Sequence, residues 1–328
     1  MSRGNLYSFL LLIFLLEISC QGQKDKFIPF TDKKIYYEGR MGKDGASAIL
    51  YWSGTQIEIN FKGTGIGAIF YESKGNNYYN VIIDNDSSYI FRPSVEKKAY
   101  SLVSGLEDKE HNLKIYKRTE WTRGITYFYG FVPESGTVLL DPPARKSRQM
   151  EFYGNSITAG FGVEDPTRAD RADSIFTNNY LSYAAITARH FNARAHYIVR
   201  SGIGIMVSWI PIIMPELYDR LDPNDPESRW DFNAYQPDLV IINLLQNDAY
   251  VLATPTSKEY LFRFENKPVP DESFIINSYV DFVKLIRDKY PKAQIICMLG
   301  NLSITKKGSP WPSYVVKAVE IMNDPGIY

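Results

Sequence analysis

The rhythm of this chain changes once, at Asp141-Pro142-Pro143-Ala144-Arg145-Lys146, and that change limits the fold more than any other feature. Consecutive prolines remove backbone donors and fix φ, so the segment reads as a stiff connector. Before it, from about Lys34 to Leu140, short alternating runs are broken by Gly, Asn and Asp: Ala48 to Trp52, Gln56 to Phe61, Gly67 to Tyr71, Tyr79 to Asp84, His111 to Tyr116 and Gly136 to Leu140. Short strands separated by turn signals predict an antiparallel β-sandwich. After the connector, apolar strands alternate with helical spacing: a strand at Gln149 to Tyr153, a helix at Tyr180 to Phe191, and strands at Ala195 to Val199 and Asp238 to Leu244. A helix at Phe274 to Tyr290, a strand at Gln294 to Leu299 and a helix at Ser313 to Met322 complete the series. That order predicts right-handed βαβ units and a parallel sheet covered on both faces.

At 328 residues the chain is long enough for two domains at ~100–200 residues each. Its first twenty residues read as a signal segment, with Arg3 as the positive end and an apolar run from Phe9 to Leu16 that is too short to span a membrane. The run ends in Glu17-Ile18-Ser19-Cys20 and passes into the polar Gln21 to Lys26, which resembles a bacterial lipoprotein signal with Cys20 as the lipidated residue. Glu17 replaces the usual apolar residue at its position, so conventional cleavage is the alternative. The expected division is a signal at 1–20, a tether at 21–33, a sandwich at 34–143 and an α/β domain at 147–328. The expected location is the cell envelope, held by lipid, or the medium.

Lys plus Arg and Asp plus Glu are 37 each, so no broad basic field exists to hold nucleic acid, and membrane contact is expected only through the lipid. Once Cys20 carries lipid, Cys297 is the remaining thiol, and its apolar neighbours place it in a buried strand, without a disulfide framework. Three scattered histidines and the lack of a Cys-x-x-Cys pair offer no metal cluster.

Chemistry concentrates just after three of the predicted parallel strands. Gly154-Asn155-Ser156-Ile157-Thr158 puts a serine in a tight turn where open α/β sheets place ligands. Ser201-Gly202-Ile203-Gly204 and Gln246-Asn247-Asp248 follow the next two strands. Acyl transfer needs a nucleophile and donors aimed at an oxyanion, and the Ser156 N–H, a glycine N–H from Gly202 or Gly204, and the Asn247 amide would supply them. Trp209, Trp230 and Tyr250 are candidates to stack a sugar ring, with core packing as the simpler reading of each.

These three ordered blocks, behind an upstream sandwich that includes Ile115-Tyr116-Lys117-Arg118-Thr119-Glu120, resemble the SGNH (GDSL-type) hydrolases and above all carbohydrate esterase family 2. The resemblance implies a jelly-roll-like sandwich joined to a flavodoxin-like SGNH domain. It implies a cofactor-free serine esterase that removes O-acetyl groups from plant polysaccharides or oligosaccharides, of acetylxylan or acetylmannan type, through an acyl-enzyme on Ser156. Asn155 stands where the family commonly has aspartate, and Leu245 where its asparagine block usually has glycine.

The largest departure is the family's histidine, carried near the C-terminus in an Asp-x-x-His block and absent here. Asp108-Lys109-Glu110-His111 matches the pattern but precedes the nucleophile and reads as a surface turn; His190 and His196 read as structural. A serine hydroxyl without an adjacent base is a weak nucleophile. The expectation is a truncated chain whose last strand, histidine loop and closing helix are missing and whose hydrolysis is impaired. Two rivals remain: a lipid or aryl esterase of the same superfamily, and a non-catalytic carbohydrate-binding lipoprotein.

Overall fold

The computed structural model describes residues 27–169 and 171–328, so the signal segment and Cys20 lie outside the described residues. Its first half is an antiparallel sandwich of two six-stranded sheets running from β1 (Ile28–Pro29) to β12 (Val138–Leu139). One sheet centres on β5 (Gln56–Gly63) paired with β10 (Lys109–Lys117), the other on β6 (Ile66–Glu72) paired with β11 (Thr126–Pro133). Alternation along these strands turns Ile57, Ile59, Phe61, Ala68, Phe70, Leu113, Ile115, Phe128 and Phe131 into the space between the sheets. The sequence reading did not pick out β11, although it is central. Gly130 interrupts its alternation with a bulge, and a Cβ there would lie 2.1 Å from the Ile28 carbonyl oxygen.

The second half is a parallel sheet of β13 (Arg148–Gly154), β14 (Ala193–Val199), β15 (Leu239–Asn243) and β16 (Gln294–Met298), in the spatial order β14-β13-β15-β16. Beyond β16, Ile327 pairs in parallel with Ile295, which gives the flavodoxin-like order with its direction of winding reversing between β13 and β15. Sequence reading put no strand there, yet Gly326–Tyr328 already occupies the edge through three backbone hydrogen bonds to Ile295 and Cys297. One face of the sheet packs Phe152, Tyr197 and Val199 on Ala184, Ala185 and Ala188 of α2 (Tyr183–His190). The other packs Tyr153, Ile242 and Leu244 with α5 (Glu272–Lys289). That helix is started by Asp271, whose carboxylate accepts the Phe274 N–H at 2.8 Å. It buries Ile275, Ile276, Tyr279, Val280, Phe282, Val283 and Ile286 at helical spacing.

The two domains interlock through charged and polar groups. Arg40 leaves the sandwich and enters the α/β domain, where it pairs with Glu151 of β13 at 3.0 Å and donates to the Tyr218 and Arg220 carbonyls at 2.6 and 3.2 Å. Gly54 packs so close to β14 that a Cβ would lie 2.2 Å from the Tyr197 ring.

Candidate active site

Ser156 opens the short helix α1 (Ser156–Ala159) directly beyond β13, as the sequence turn predicts. Gly154 is required there, since a Cβ would meet the Thr158 hydroxyl at 2.0 Å. Asn155 caps the turn by accepting the Ile157 N–H at 3.0 Å. Its side-chain amide meets that of Gln246 at 2.6 Å, so the asparagine in place of aspartate makes a neutral link from the serine turn to the asparagine block. Ser156 is partly exposed, and among the described residues its hydroxyl has no hydrogen-bond partner.

Register brings the three blocks together. Gly154 lies beside Val199 on one neighbour and Asn243 on the other, so Ser156, Gly202 and Asn247 follow three in-register residues by only two to four positions. The Arg200 N–H donates to the Gly154 carbonyl at 3.2 Å and ties the second loop to the first. Gly202 has φ +83°, which glycine adopts freely, and its N–H has no acceptor among the described residues. Gly204 differs: its N–H donates to the Ser208 hydroxyl at 2.9 Å and is committed. Of the two candidate glycines, only Gly202 keeps a free donor.

The third block is helical rather than a loop, since Gln246, Asn247 and Asp248 form the first turn of α3 (Gln246–Leu252). Leu245 precedes it at φ +80°, a conformation natural to the glycine usual at this place, with its side chain fully buried. The Asn247 amide donates one hydrogen to the Ile203 carbonyl at 2.7 Å, which fixes its orientation and leaves the other hydrogen uncommitted. Asp248 is buried and accepts the N–H groups of Ile205, Met206 and Val207 at 2.9, 2.7 and 3.1 Å, clamping the loop that follows Gly204. Burial pushes its carboxyl up to about 6, against those donors, which favour the ionised form.

The aromatic candidates separate. Trp209 is exposed beside the Gly202 loop, its backbone N–H donating to the Gly202 carbonyl at 2.9 Å, and it borders a cleft of about 320 Å³ with Ile210, Pro211 and Phe262. Tyr250 is exposed on α3. Trp230 is not at the cleft: its ring carries the Arg40 guanidinium at 5.3 Å and the His196 ring edge-on at 5.5 Å, part of the domain junction. His196 pairs in register with Glu151, three residues before Gly154, so this cluster lies about 10 Å back along the sheet.

None of the three histidines is hydrogen-bonded to Ser156. His111 is not in a surface turn but buried in β10, bonded to the Asp84 carboxylate at 2.8 Å and the Glu107 carbonyl at 2.9 Å. His190 ends α2, and His196 lies in β14 beside Glu151, Trp230 and Tyr235. Cys297 sits in β16 with its thiol pushed up to about 11 by burial, which leaves it protonated and unreactive. Among the described residues no cluster of His, Cys, Asp and Glu could hold a metal ion.

Residues 37–143 match the carbohydrate esterase 2 N-terminal family model. A family two carbohydrate esterase from Clostridium thermocellum, solved in complex with cellohexaose, superimposes with a TM-score of 0.79 at 32% identity, over 90% of this chain and 87% of that one. The chain belongs to the family two carbohydrate esterases. Two further relatives of this family two member are cellulase/esterase CelE of Acetivibrio thermocellus and an acetylxylan esterase / glucomannan deacetylase of Cellvibrio japonicus. CelE is 33% identical over 295 residues, 89% of this chain and 34% of its own length, so the chain spans about a third of that relative. The Cellvibrio enzyme is 25% identical over 295 residues, 88% of this chain and 77% of its own.

Proposed function

We propose that this chain is a serine esterase that removes O-acetyl groups from plant polysaccharides or their oligosaccharides. The observation that carries the reading is the meeting of a partly exposed Ser156 with two uncommitted donors, the Gly202 N–H and the second Asn247 amide hydrogen, at the carboxyl ends of three adjacent parallel strands. In that reading the Ser156 oxygen attacks the acetyl carbonyl, and the Ser156 and Gly202 N–H groups and the Asn247 amide receive the oxyanion. The sugar alkoxide leaves with a proton, and water then releases acetate from the acyl-enzyme. No cofactor or metal takes part. Trp209, beside the Gly202 loop, and Tyr250, exposed on α3 one turn after Asn247, would stack sugar rings.

His111 is held by Asp84 and Glu107, His196 lies beside Glu151, Trp230 and Tyr235, and His190 is exposed at the end of α2; none of the three is hydrogen-bonded to the Ser156 hydroxyl, and without a further base these residues would turn an ester over slowly. That same observation favours, as a second reading, a carbohydrate-binding protein that keeps the cleft. A signal segment ending at Cys20 would place either version at the cell envelope.

The experiment is acetate release from acetylated xylan and glucomannan oligosaccharides, compared with small aryl acetates, with and without millimolar imidazole as an external base. Release that rises with imidazole and vanishes in Ser156→Ala supports the esterase. Oligosaccharide binding that survives Ser156→Ala without any release supports the binding protein, and aryl acetates as far better substrates would indicate a different ester specificity.

A further inference from the structure

We infer that Glu120, contributed by the sandwich domain, is a positioning residue for the oxyanion donors Gly202 and Asn247. The inference rests on the esterase reading above.

After β10 ends at Lys117, the segment Arg118 to Glu120 leaves the sandwich and lies against the α/β domain. It is held rigidly: the buried Lys117 amino group donates to the Thr119 carbonyl at 2.6 Å and to Asn77 Oδ1 at 2.8 Å. The Arg118 carbonyl accepts the Asn179 N–H at 3.0 Å, and its guanidinium donates to the Ile175 carbonyl at 2.8 Å and pairs with Glu164. At the end of this strap stands Glu120, only 1% exposed. One carboxylate oxygen accepts the Ser201 N–H at 2.5 Å and the other the Ser201 hydroxyl at 2.6 Å, with the Arg200 guanidinium 3.7 Å away. Among the described residues the carboxylate makes no hydrogen bond within its own domain.

Ser201 directly precedes Gly202, and the carbonyl of the next residue, Ile203, holds the Asn247 amide at 2.7 Å. A shift of Ser201 therefore displaces both proposed oxyanion donors together. Bonds to an ionised acceptor are roughly twice as strong as neutral ones, which suits a carboxylate to this hold. The strap also reaches the nucleophile turn, because the Tyr116 hydroxyl donates to Asn179 Oδ1 at 2.6 Å and the Asn179 amide donates to the Thr158 carbonyl at 2.9 Å. The sandwich thus acts on the chemistry through Ser201 without touching the acyl group.

The test compares wild type with Glu120→Gln, which keeps shape but can accept at one position only, and Glu120→Ala. Misplacing a catalytic group by an ångström can cost about a hundredfold, so kcat for acetate release should fall about 10- to 100-fold with KM within about threefold. On an Asn247→Ala background the same change should cost less than about threefold, because the two losses share one loop. Amide exchange at Ser201 to Ile203 should quicken at least about tenfold in Glu120→Gln while the β13 and β15 amides stay protected. Unchanged kcat in folded Glu120→Ala, a loss fully additive with Asn247→Ala, or unaltered exchange in Glu120→Gln would each overturn the assignment. Should wild type release no acetate, the esterase reading falls by itself, and the exchange data decide: quickening confined to Ser201 to Ile203 supports the positioning role, and none or a uniform one refutes it. If Glu120→Ala does not fold, Glu120→Gln carries both arms.

Discussion

Replacing Arg40 by methionine should cost about 3 kcal/mol of stability by leaving the Glu151 carboxylate buried without its cation. Both side chains are fully buried, 3.0 Å apart, one from each domain. Glu151 also accepts the Tyr290 hydroxyl at 2.8 Å and that of Tyr153, so it would retain two neutral donors after the substitution. Although burial raises a carboxyl, Arg40, His196 and Tyr153 outweigh it and hold Glu151 down from 4.5 to about 2. At about 1.4 kcal/mol per pH unit that fall corresponds to about 3 kcal/mol, in line with the lower end of about 3–5 for breaking a buried pair. Because the folded value lies below the unfolded one, this stabilisation is fully present above about pH 4.5 and drains away as the pH falls toward 2. Urea unfolding at pH 7 of wild type, Arg40→Met, Glu151→Gln and the double variant measures it. Glu151→Gln should be milder, since Arg40 keeps the Tyr218 and Arg220 carbonyls, and the double variant should recover about 2 kcal/mol relative to the sum. Additive losses at pH 7 would refute the pairing.

Asn247→Ala should lower kcat for acetate release by about 10²–10³ with little change in KM, checked by initial rates, and unaltered turnover would remove it from the oxyanion site. Leu245→Gly relieves a left-handed backbone worth about 1–2 kcal/mol but empties a fully buried site that costs about 2–5, so thermal unfolding should show net destabilisation. His196 is held neutral by burial, so its contribution is present above an unfolded value near 6.5 and lost as the pH falls below it. Denaturation between pH 8 and 5 should therefore show a steeper loss in wild type than in His196→Gln.

What the sequence made legible is what local periodicity encodes. The change at Asp141 to Lys146 separates the antiparallel from the parallel half, and the strands Gln149 to Tyr153 and Gln294 to Leu299 match β13 and β16 to within a residue. The serine turn was legible too, because Gly154 and Asn155 are demanded by contacts two to four residues away. What escaped depends on partners distant in the chain. Whether Gly202 or Gly204 keeps a free N–H turns on Ser208, and Trp230 belongs to the domain junction because Arg40, 190 positions earlier, lies against it. His111 looked like part of a surface turn because its polar neighbours hide that its own position faces inward on β10. Asn247 read as a loop residue since the helix it starts spans only seven positions and lacks a side-chain cap.

The interlocking of the two halves follows from where the sandwich spends its charged residues. Arg40, Lys117, Arg118 and Glu120 are all nearly inaccessible, and three of them reach across to the α/β domain rather than to solvent. Burying such groups is costly unless each is paired; Lys117 finds its partners, Asn77 and Thr119, within the sandwich, but those of Arg40, Arg118 and Glu120 lie largely in the other domain, so the sandwich alone would leave these three poorly satisfied. Arg40 acts on β13 about 10 Å behind the serine, and Glu120 acts on the loop beside it, so the sandwich grips the parallel sheet at two depths. A brace that served stability alone could rest on apolar contacts such as Trp52, which is buried in the α/β core cluster. The carboxylate at Ser201 adds direction to that support, because among the described residues it is there that the sandwich holds the loop carrying the proposed oxyanion donors.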